Sequence, residues 1–275
     1  MLIPSFFYPY SSVLELFPNA ADMNIITQLT NKWERAFISF HAPKANSKKE
    51  LLTVGSGFLM MLNGMPFIVT ASHVIDEIKE VDDRYITIEK QLYQLKKAEI
   101  HRDKEQDYAF IELPQAILSL KKGFIFFSNI VRNDLSPTST MIISGFPSSK
   151  NKFHKDKPNT GLQRLNFAFH HFEYNTSNEE LHFPFDSRPG KGTPIKMEST
   201  STITSLPSLA GMSGAPILQV MENISTGALT LRVVGIFKEH RAKTEKCLVA
   251  STFVQFAEEM NKIFQIDSPY EEAKD

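Results

Sequence analysis

The sequence predicts an all-β protein, on three observations. From Phe37 onward the chain divides into short apolar or alternating runs such as AFISFHA, SGFLMML and MPFIVTA. Turn residues separate most of these runs, as they do between paired strands. Helical periodicity is confined to the two ends, so strands and helices do not alternate as around a parallel sheet.

The elements follow in order. Residues 1–20 are aromatic-rich and irregular, and read as an arm or a loose terminus. ADMNIITQLTNKWERA (21–36) sets Ile25, Ile26, Leu29 and Trp33 at helical spacing. NGM at 63–65 marks a hairpin turn. YITIEKQL, DYAFIELP (107–114), FIFF (124–127) and MIISGFP (141–147) continue the strand texture. SSKNKFHKDKPNTG (148–161) reads as a solvated basic loop, and LNFAFHHFEYN (165–175) as one alternating strand. Residues 176–210, rich in Ser, Thr, Pro and Gly, read as loops with short strands. APILQV and LTLRVVGIF read as a strand pair joined by MENISTGA. TFVQFAEEMNKIF (252–264) carries Phe253, Phe256, Ala257, Met260 and Phe264 on one stripe, which predicts a C-terminal amphipathic helix. SNIVRNDLSPTS, within 128–140, is the natural break. It divides the chain into an N-terminal extension (1–36), a first β unit (37–132) and a second (133–275).

Composition narrows the classes of function. The 275 residues suffice for a large core, and 22 Phe against one Trp make Phe its main filler. The formal net charge is −1, so neither nucleic acid nor an anionic membrane is expected as partner. The single cysteine, Cys247, excludes an intrachain disulfide and an all-cysteine metal site, and favours a reducing, cytoplasmic setting. The N-terminal segment lacks a basic region and a cleavage site, so no signal peptide is expected. No apolar run reaches the length of a membrane span. The histidines form no H-x-x-x-H pattern, and neither metal nor cofactor is expected.

Three segments bear on chemistry. VTASHVID (69–76) puts His73 where an apolar strand ends. DYAFIEL (107–113) puts Asp107 at the head of a buried-looking strand. GMSGAPIL (211–218) puts Ser213 in a glycine turn. Each has a plain structural reading: a hydrogen-bonded histidine, a turn-capping aspartate, a tight turn. Together, in this order, they are the residue types of nucleophilic acyl transfer. A serine hydroxyl needs a base to take its proton, and histidine does this near neutral pH. A buried aspartate fixes the histidine tautomer. A glycine-rich turn lets backbone N–H groups converge on an oxyanion, which here would be those of Gly211 and Ser213. The α/β-hydrolase elbow, G-x-S-x-G, is excluded by Ala215 and by the residue order. A Cys–His pair is disfavoured because Cys247 lies in the apolar run CLVAST.

With GSGF, TASHV, DYAFIEL, SGFP, GMSGAPIL and VVGIF in sequence, the chain resembles the trypsin-like, chymotrypsin-fold serine peptidases from about Phe37 to its C-terminal helix. The resemblance implies two six-stranded antiparallel Greek-key β-barrels with the site in the cleft between them. It implies His73 as general base, Asp107 as its orienter and Ser213 as nucleophile of an endopeptidase acting on peptide or protein substrates. The primary pocket would be drawn from Pro207 to Ala210, Phe237 to His240 and Cys247 to Val249, with Lys238 and His240 on its wall.

Two departures from the family matter. Met212 occupies the position where zymogen-activated members carry an aspartate, and disulfides are absent. Both resemble intracellular bacterial or viral-type members. Activity is therefore expected to be constitutive, or gated by a loop or a regulatory protein partner. The competing function is a latent or non-hydrolytic binding module of the same fold. Pro207 supplies no acid six residues before the serine, so an apolar or small P1 residue is expected rather than Lys or Arg.

Overall fold

The structure is a computed structural model of the chain. It describes residues 10–12, 20–44, 47, 49–62, 65–78, 84–88, 91–95, 98–113, 125–126, 139–154, 162–185, 196–198, 208–243 and 245–253. Among these are eighteen strands and two α-helices.

The first sheet has a backbone path of seven strands. These are β2 (Phe37–Pro43), β3 (Glu50–Leu62), β4 (Met65–Thr70), β5 (Tyr85–Ile88), β6 (Gln91–Gln94), β7 (Ile100–Asp103) and β8 (Tyr108–Glu112), in the spatial order β6-β5-β2-β3-β4-β8-β7. Two short strands, β9 (Ile125–Phe126) and β11 (Lys152–His154), add to β3. The second sheet contains β10 (Met141–Gly145), β12 (Leu165–Phe169), β13 (Glu173–Asn175), β14 (Glu180–Pro184), β15 (Lys196–Glu198), β16 (Pro216–Asn223), β17 (Leu229–Arg241) and β18 (Cys247–Thr252). Its order is β13-β14-β18-β17-β16-β10-β12-β15, with β1 (Tyr10–Ser12) against β16. All pairings but β3 with β9 are antiparallel. Each sheet has nine strands where six were expected. Short accessory strands of four residues or fewer make up the difference: β6, β9 and β11 in one sheet, β1, β13 and β15 in the other.

Phenylalanine fills both cores. Phe40, Phe58, Phe67 and Phe110 are buried in the first, and Phe67 meets Phe110 edge to face at 6.0 Å. Phe167, Phe183 and Phe185 are buried in the second, together with Met212. Such edge-to-face pairs align the positive ring edge with the negative face of the neighbour.

Several expectations are corrected in detail. The N-terminal helix, α1, spans Ala20–Lys32 and gives way to a 3-10 turn at Glu34–Ala36, so Trp33 lies beyond it. Ile26 and Leu29 are its buried residues, as the spacing predicts. The expected basic loop 148–161 contains β11, which pairs with β3. The expected single strand 165–175 is two strands, β12 and β13, broken at His170–Phe172. Of the C-terminal amphipathic helix only Phe253 falls among the described residues, where it is helical and fully buried; Thr252 still belongs to β18.

Candidate active site

Strand pairing brings His73 and Asp107 together. β4 runs antiparallel to β8 with Thr70 opposite Ala109. The residues just after β4 and just before β8 therefore meet at one edge of the sheet. After β4 the chain turns into a short helix, α2 (Ser72–Glu77), whose second residue is His73. On the other side, residues 104–107 form the turn between β7 and β8, where Asp103 Oδ1 accepts the Glu105 and Gln106 N–H groups at 2.7 and 2.9 Å. Asp107 closes this turn at φ 55°, a left-handed conformation that aspartate tolerates better than most residues.

The carboxylate then grips His73 twice. His73 Nδ1 lies 3.0 Å from Oδ1 and 2.9 Å from Oδ2, and the His73 backbone N–H donates to Oδ1 at 3.0 Å. An Nδ1–H tautomer leaves Nε2 facing the cleft as an acceptor. The hydrogen bond to Asp107 is the largest influence on the imidazole and holds its pKa above the ordinary histidine value. Partial burial opposes this, and the negative charges of Asp107, Glu77 and Glu239 reinforce it.

Ser213 arrives from the second sheet, three residues before β16. Every carbonyl of the turn 209–213 is bonded. Leu209 O accepts the Met212 N–H (2.9 Å), Ala210 O the Ser148 N–H (2.7 Å), and Met212 O the Ala215 N–H (2.9 Å). Gly211 O accepts the Ser56 hydroxyl at 2.7 Å, and Ser213 O the Ser56 N–H at 2.7 Å. The N–H groups of Ala210, Met212 and Gly214 are also used. Those of Gly211 and Ser213 are left, and among the described residues neither has an acceptor. Main-chain donors within a fold are nearly always paired, so two exceptions one residue apart in a turn beside a cleft mark a place for an acceptor.

The glycines are required by close approach. Gly211 has φ 87°, and a Cβ there would lie 2.8 Å from Phe146 O and from Ser148 N. Gly214 has φ 85°, and a Cβ would lie 2.1 Å from Ser56 O. Met212 points the other way and is buried in the second core at 1% exposure.

A cleft of about 600 Å³ joins these parts. His73, Asp107 and Ser213 line it together, although they derive from three distant segments. Of the expected pocket residues, Ala210, Phe237, Lys238 and His240 line it, with Leu209 and Glu239 beside them. Pro207 lies outside the described residues. Cys247 does not line the cleft. Its buried thiol faces Glu245 at 3.6 Å, and burial, with that carboxylate, pushes its pKa up to about 11. The ring of His240 stands edge-on to Phe185 at 5.0 Å, and burial lowers its pKa.

Lys238 is anchored from behind. Its Nζ lies 2.9 Å from Glu180 Oε1, and both side chains are largely buried. Glu180 also takes His182 at 3.1 Å and Arg241 at 3.6 Å. Burial pushes the Glu180 pKa up, but its partners outweigh this and hold it below the usual range. In the resting arrangement Ser213 Oγ donates to the Lys238 carbonyl at 2.9 Å. Among the described residues no hydrogen bond joins Ser213 Oγ to His73 Nε2.

Among the described residues, two clusters could hold a cation on donor type alone: Glu99, His101 and Glu112, and His182, Glu245 and Cys247. Neither borders the cleft, and Arg241 already neutralises Glu245 in the second. Sequence reasoning passed over Ser56, Ser148 and the Lys238 carbonyl. For the first two, the signals were the serines of GSGF and SGFPSS.

No family model matches the chain, and no curated protein matches it in sequence. Solved structures do match it in fold. The Rv3671c protease from M. tuberculosis, in its active form, superposes with a TM-score of 0.50 at 15% identity, covering 92% of this chain and 94% of that one. The serine endoprotease from Yersinia pestis superposes with a TM-score of 0.52 at 13% identity, covering 91% of this chain and 69% of that one. The fold is therefore the two-barrel, chymotrypsin-like fold of serine proteases. At these identities the likeness concerns the fold; the chemistry has to be argued from the residues in the cleft.

Proposed function

We propose that this protein is a serine endopeptidase. The observation that carries the reading is the convergence, in one cleft, of an aspartate-oriented histidine, a serine and two acceptor-less backbone N–H groups. In the proposed reaction, Ser213 Oγ turns from the Lys238 carbonyl toward His73 Nε2 and attacks the substrate carbonyl carbon as the imidazole takes its proton. The negative charge that forms on the carbonyl oxygen is met by the Gly211 and Ser213 N–H groups. The tetrahedral intermediate collapses, the C–N bond breaks and His73 returns the proton to the departing amine. Water, deprotonated by the same imidazole, then releases the acyl group and regenerates the hydroxyl. Asp107 keeps Nδ1 protonated and stabilises the imidazolium.

The cleft wall supports an apolar or small P1 residue. Leu209, Ala210 and Phe237 supply apolar surface; of the charged groups on the same wall, Lys238 is engaged by Glu180 and Glu239 by Arg241, while Lys104 and Glu105 stand beside Asp107. No helix among the described residues is long and apolar enough to cross a membrane. The single cysteine supports the further proposal of a cytoplasmic setting, and the formal net charge of −1 that of no nucleic-acid or membrane partner.

One observation favours a second reading, a latent enzyme switched on by a partner: the nucleophile rests on a backbone carbonyl rather than on its base. Hydrogen bonds of this kind are often loose or absent before substrate binds, so the constitutive reading is preferred. Labelling with a fluorophosphonate probe separates the two. Wild type is expected to label at a single site, and Ser213→Ala and His73→Ala to lose labelling. A folded wild type that fails to label would favour the latent form, and labelling that survives Ser213→Ala would overturn the site.

A further inference from the structure

We propose that Ser56, on the sheet opposite the nucleophile, is a positioning residue that holds the oxyanion turn in its working orientation before substrate arrives. The inference rests on the reading of Ser213 as nucleophile.

A trans peptide unit directs its N–H and C=O to opposite sides. Fixing the carbonyl of a peptide therefore fixes the direction of its N–H. The two N–H groups at issue belong to the Ala210–Gly211 and Met212–Ser213 peptides, whose carbonyls are held by Ser148 N–H and Ala215 N–H. The peptide between them is the link that sets their mutual angle, and its carbonyl, Gly211 O, is held by the Ser56 hydroxyl. Among the described residues, Ser56 Oγ is the one side-chain group that donates to these five carbonyls.

Ser56 is built into its place. It is fully buried in β3, and its Oγ also accepts the Phe146 N–H at 2.8 Å. Its N–H holds Ser213 O, and its own carbonyl accepts Thr70 Oγ1 at 2.7 Å. Thr70 ends β4, three residues before His73. One residue thus connects the strand leading to the base, the 146–148 segment backing Gly211, and both carbonyls flanking Met212. Gly145 makes room for it, since a Cβ there would lie 2.9 Å from Ser56 Oγ and 2.8 Å from the Ala215 Cβ. An alanine at 56 would leave Gly211 O and Phe146 N–H buried without partners. Rotation of the Gly211 peptide toward another donor would relieve this, and would turn the neighbouring N–H groups away from the cleft.

The test compares fluorophosphonate labelling rates of wild type, Ser56→Ala and Ser56→Thr, with thermal melts and the low-field NMR signal of the His73 Nδ1 proton. Ser56→Ala is expected to label about 10- to 100-fold more slowly, less than the roughly 100- to 1,000-fold loss on removing an oxyanion donor outright, because the donors are turned away rather than removed. The His73 proton signal is expected to persist, because Asp107 is untouched, and Ser56→Thr, which keeps the hydroxyl, to recover most of the rate. Labelling of Ser56→Ala at the wild-type rate, or slowed only in proportion to its unfolded fraction, would overturn the proposal while leaving Ser213 as nucleophile. Absence of labelling in folded wild type, the outcome that favours the latent form, would overturn the proposal that the turn stands in its working orientation before substrate arrives. Should Ser56→Ala not fold, crystal structures of wild type before and after phosphonylation decide the matter. The Ser56 Oγ–Gly211 O bond should be present in both, and a turn that reorganises on labelling would overturn the proposal.

Discussion

Ser213 Oγ donates its hydrogen bond to the carbonyl of Lys238, at 2.9 Å, and the side chain of that same lysine is tied to the buried Glu180. The acceptor that parks the proposed nucleophile therefore sits on a residue whose side chain is fixed at its far end. Glu180→Gln leaves the Lys238 ammonium largely buried without its carboxylate, which costs about 3 kcal/mol for a broken buried pair. Lys238→Met leaves Glu180 with His182 and Arg241, so its cost should be smaller. Urea unfolding of both variants checks the order. A larger loss in Lys238→Met would contradict it.

The Asp107 grip on His73 predicts the pH dependence of labelling. His73, as the proposed base, works when neutral, and Asp107 raises its pKa above the ordinary value of 6.5. The acid limb of the pH–rate profile should therefore lie above 6.5. Asp107→Asn should lower both the limb and the plateau rate. The same shift has a stability consequence of defined sign. It stabilises the folded state fully below the unfolded pKa, and the contribution is lost as pH rises through the folded one. A limb below 6.5 in wild type would contradict the Asp107 assignment.

His41 predicts acid sensitivity of a different origin. It is fully buried in β2 between Ser39 and Thr87 on Nε2, at 2.9 and 2.8 Å, and Thr53 on Nδ1, at 3.2 Å. Burial lowers its pKa to about 3. Stability from this neutral imidazole is full above 6.5 and is lost as pH falls toward 3, because the unfolded chain takes up the proton first. Its slope approaches about 1.4 kcal/mol per pH unit. Denaturant melts of wild type and His41→Gln between pH 6 and 5 should differ in slope by nearly this amount. Parallel curves would contradict the assignment.

Gly214→Ala should be among the most damaging single substitutions. The new Cβ would lie 2.1 Å from Ser56 O and 2.2 Å from Thr70 Oγ1, at φ 85°. Overpacking against backbone and left-handed strain add to several kcal/mol. A thermal melt within about 2 °C of wild type would show that the turn is slacker than these distances require.

The parts legible in the sequence are those whose chemistry is local. The end of β4, the α2 start and His73 lie in eight consecutive residues, as do the nucleophile turn and the opening of β16. Asp107 stood out because a charge heads an apolar run. Ser56 did not, because its partner Gly211 is 155 residues away and a serine between two glycines is common. β11 was hidden by its lysine-rich surroundings, since pairing with β3 needs backbone groups rather than apolar side chains. The helix expected over 21–36 ends at Lys32, and the chain enters β2 through a 3-10 turn that side-chain spacing does not distinguish from a further helical turn.

Met212 has a consequence of its own. The position that carries a charge in zymogen-activated members is here a thioether sunk in oil-like surroundings. The turn is pegged from below by packing, a non-directional force little affected by ionic strength and independent of any freshly cut chain terminus. The reactivity proposed for Ser213 is thereby coupled to the packing of the second core, so a substitution at Ile143 or Val234, buried in the same cluster as Met212 and absent from the cleft lining, is expected to tune it as a screw tunes a string.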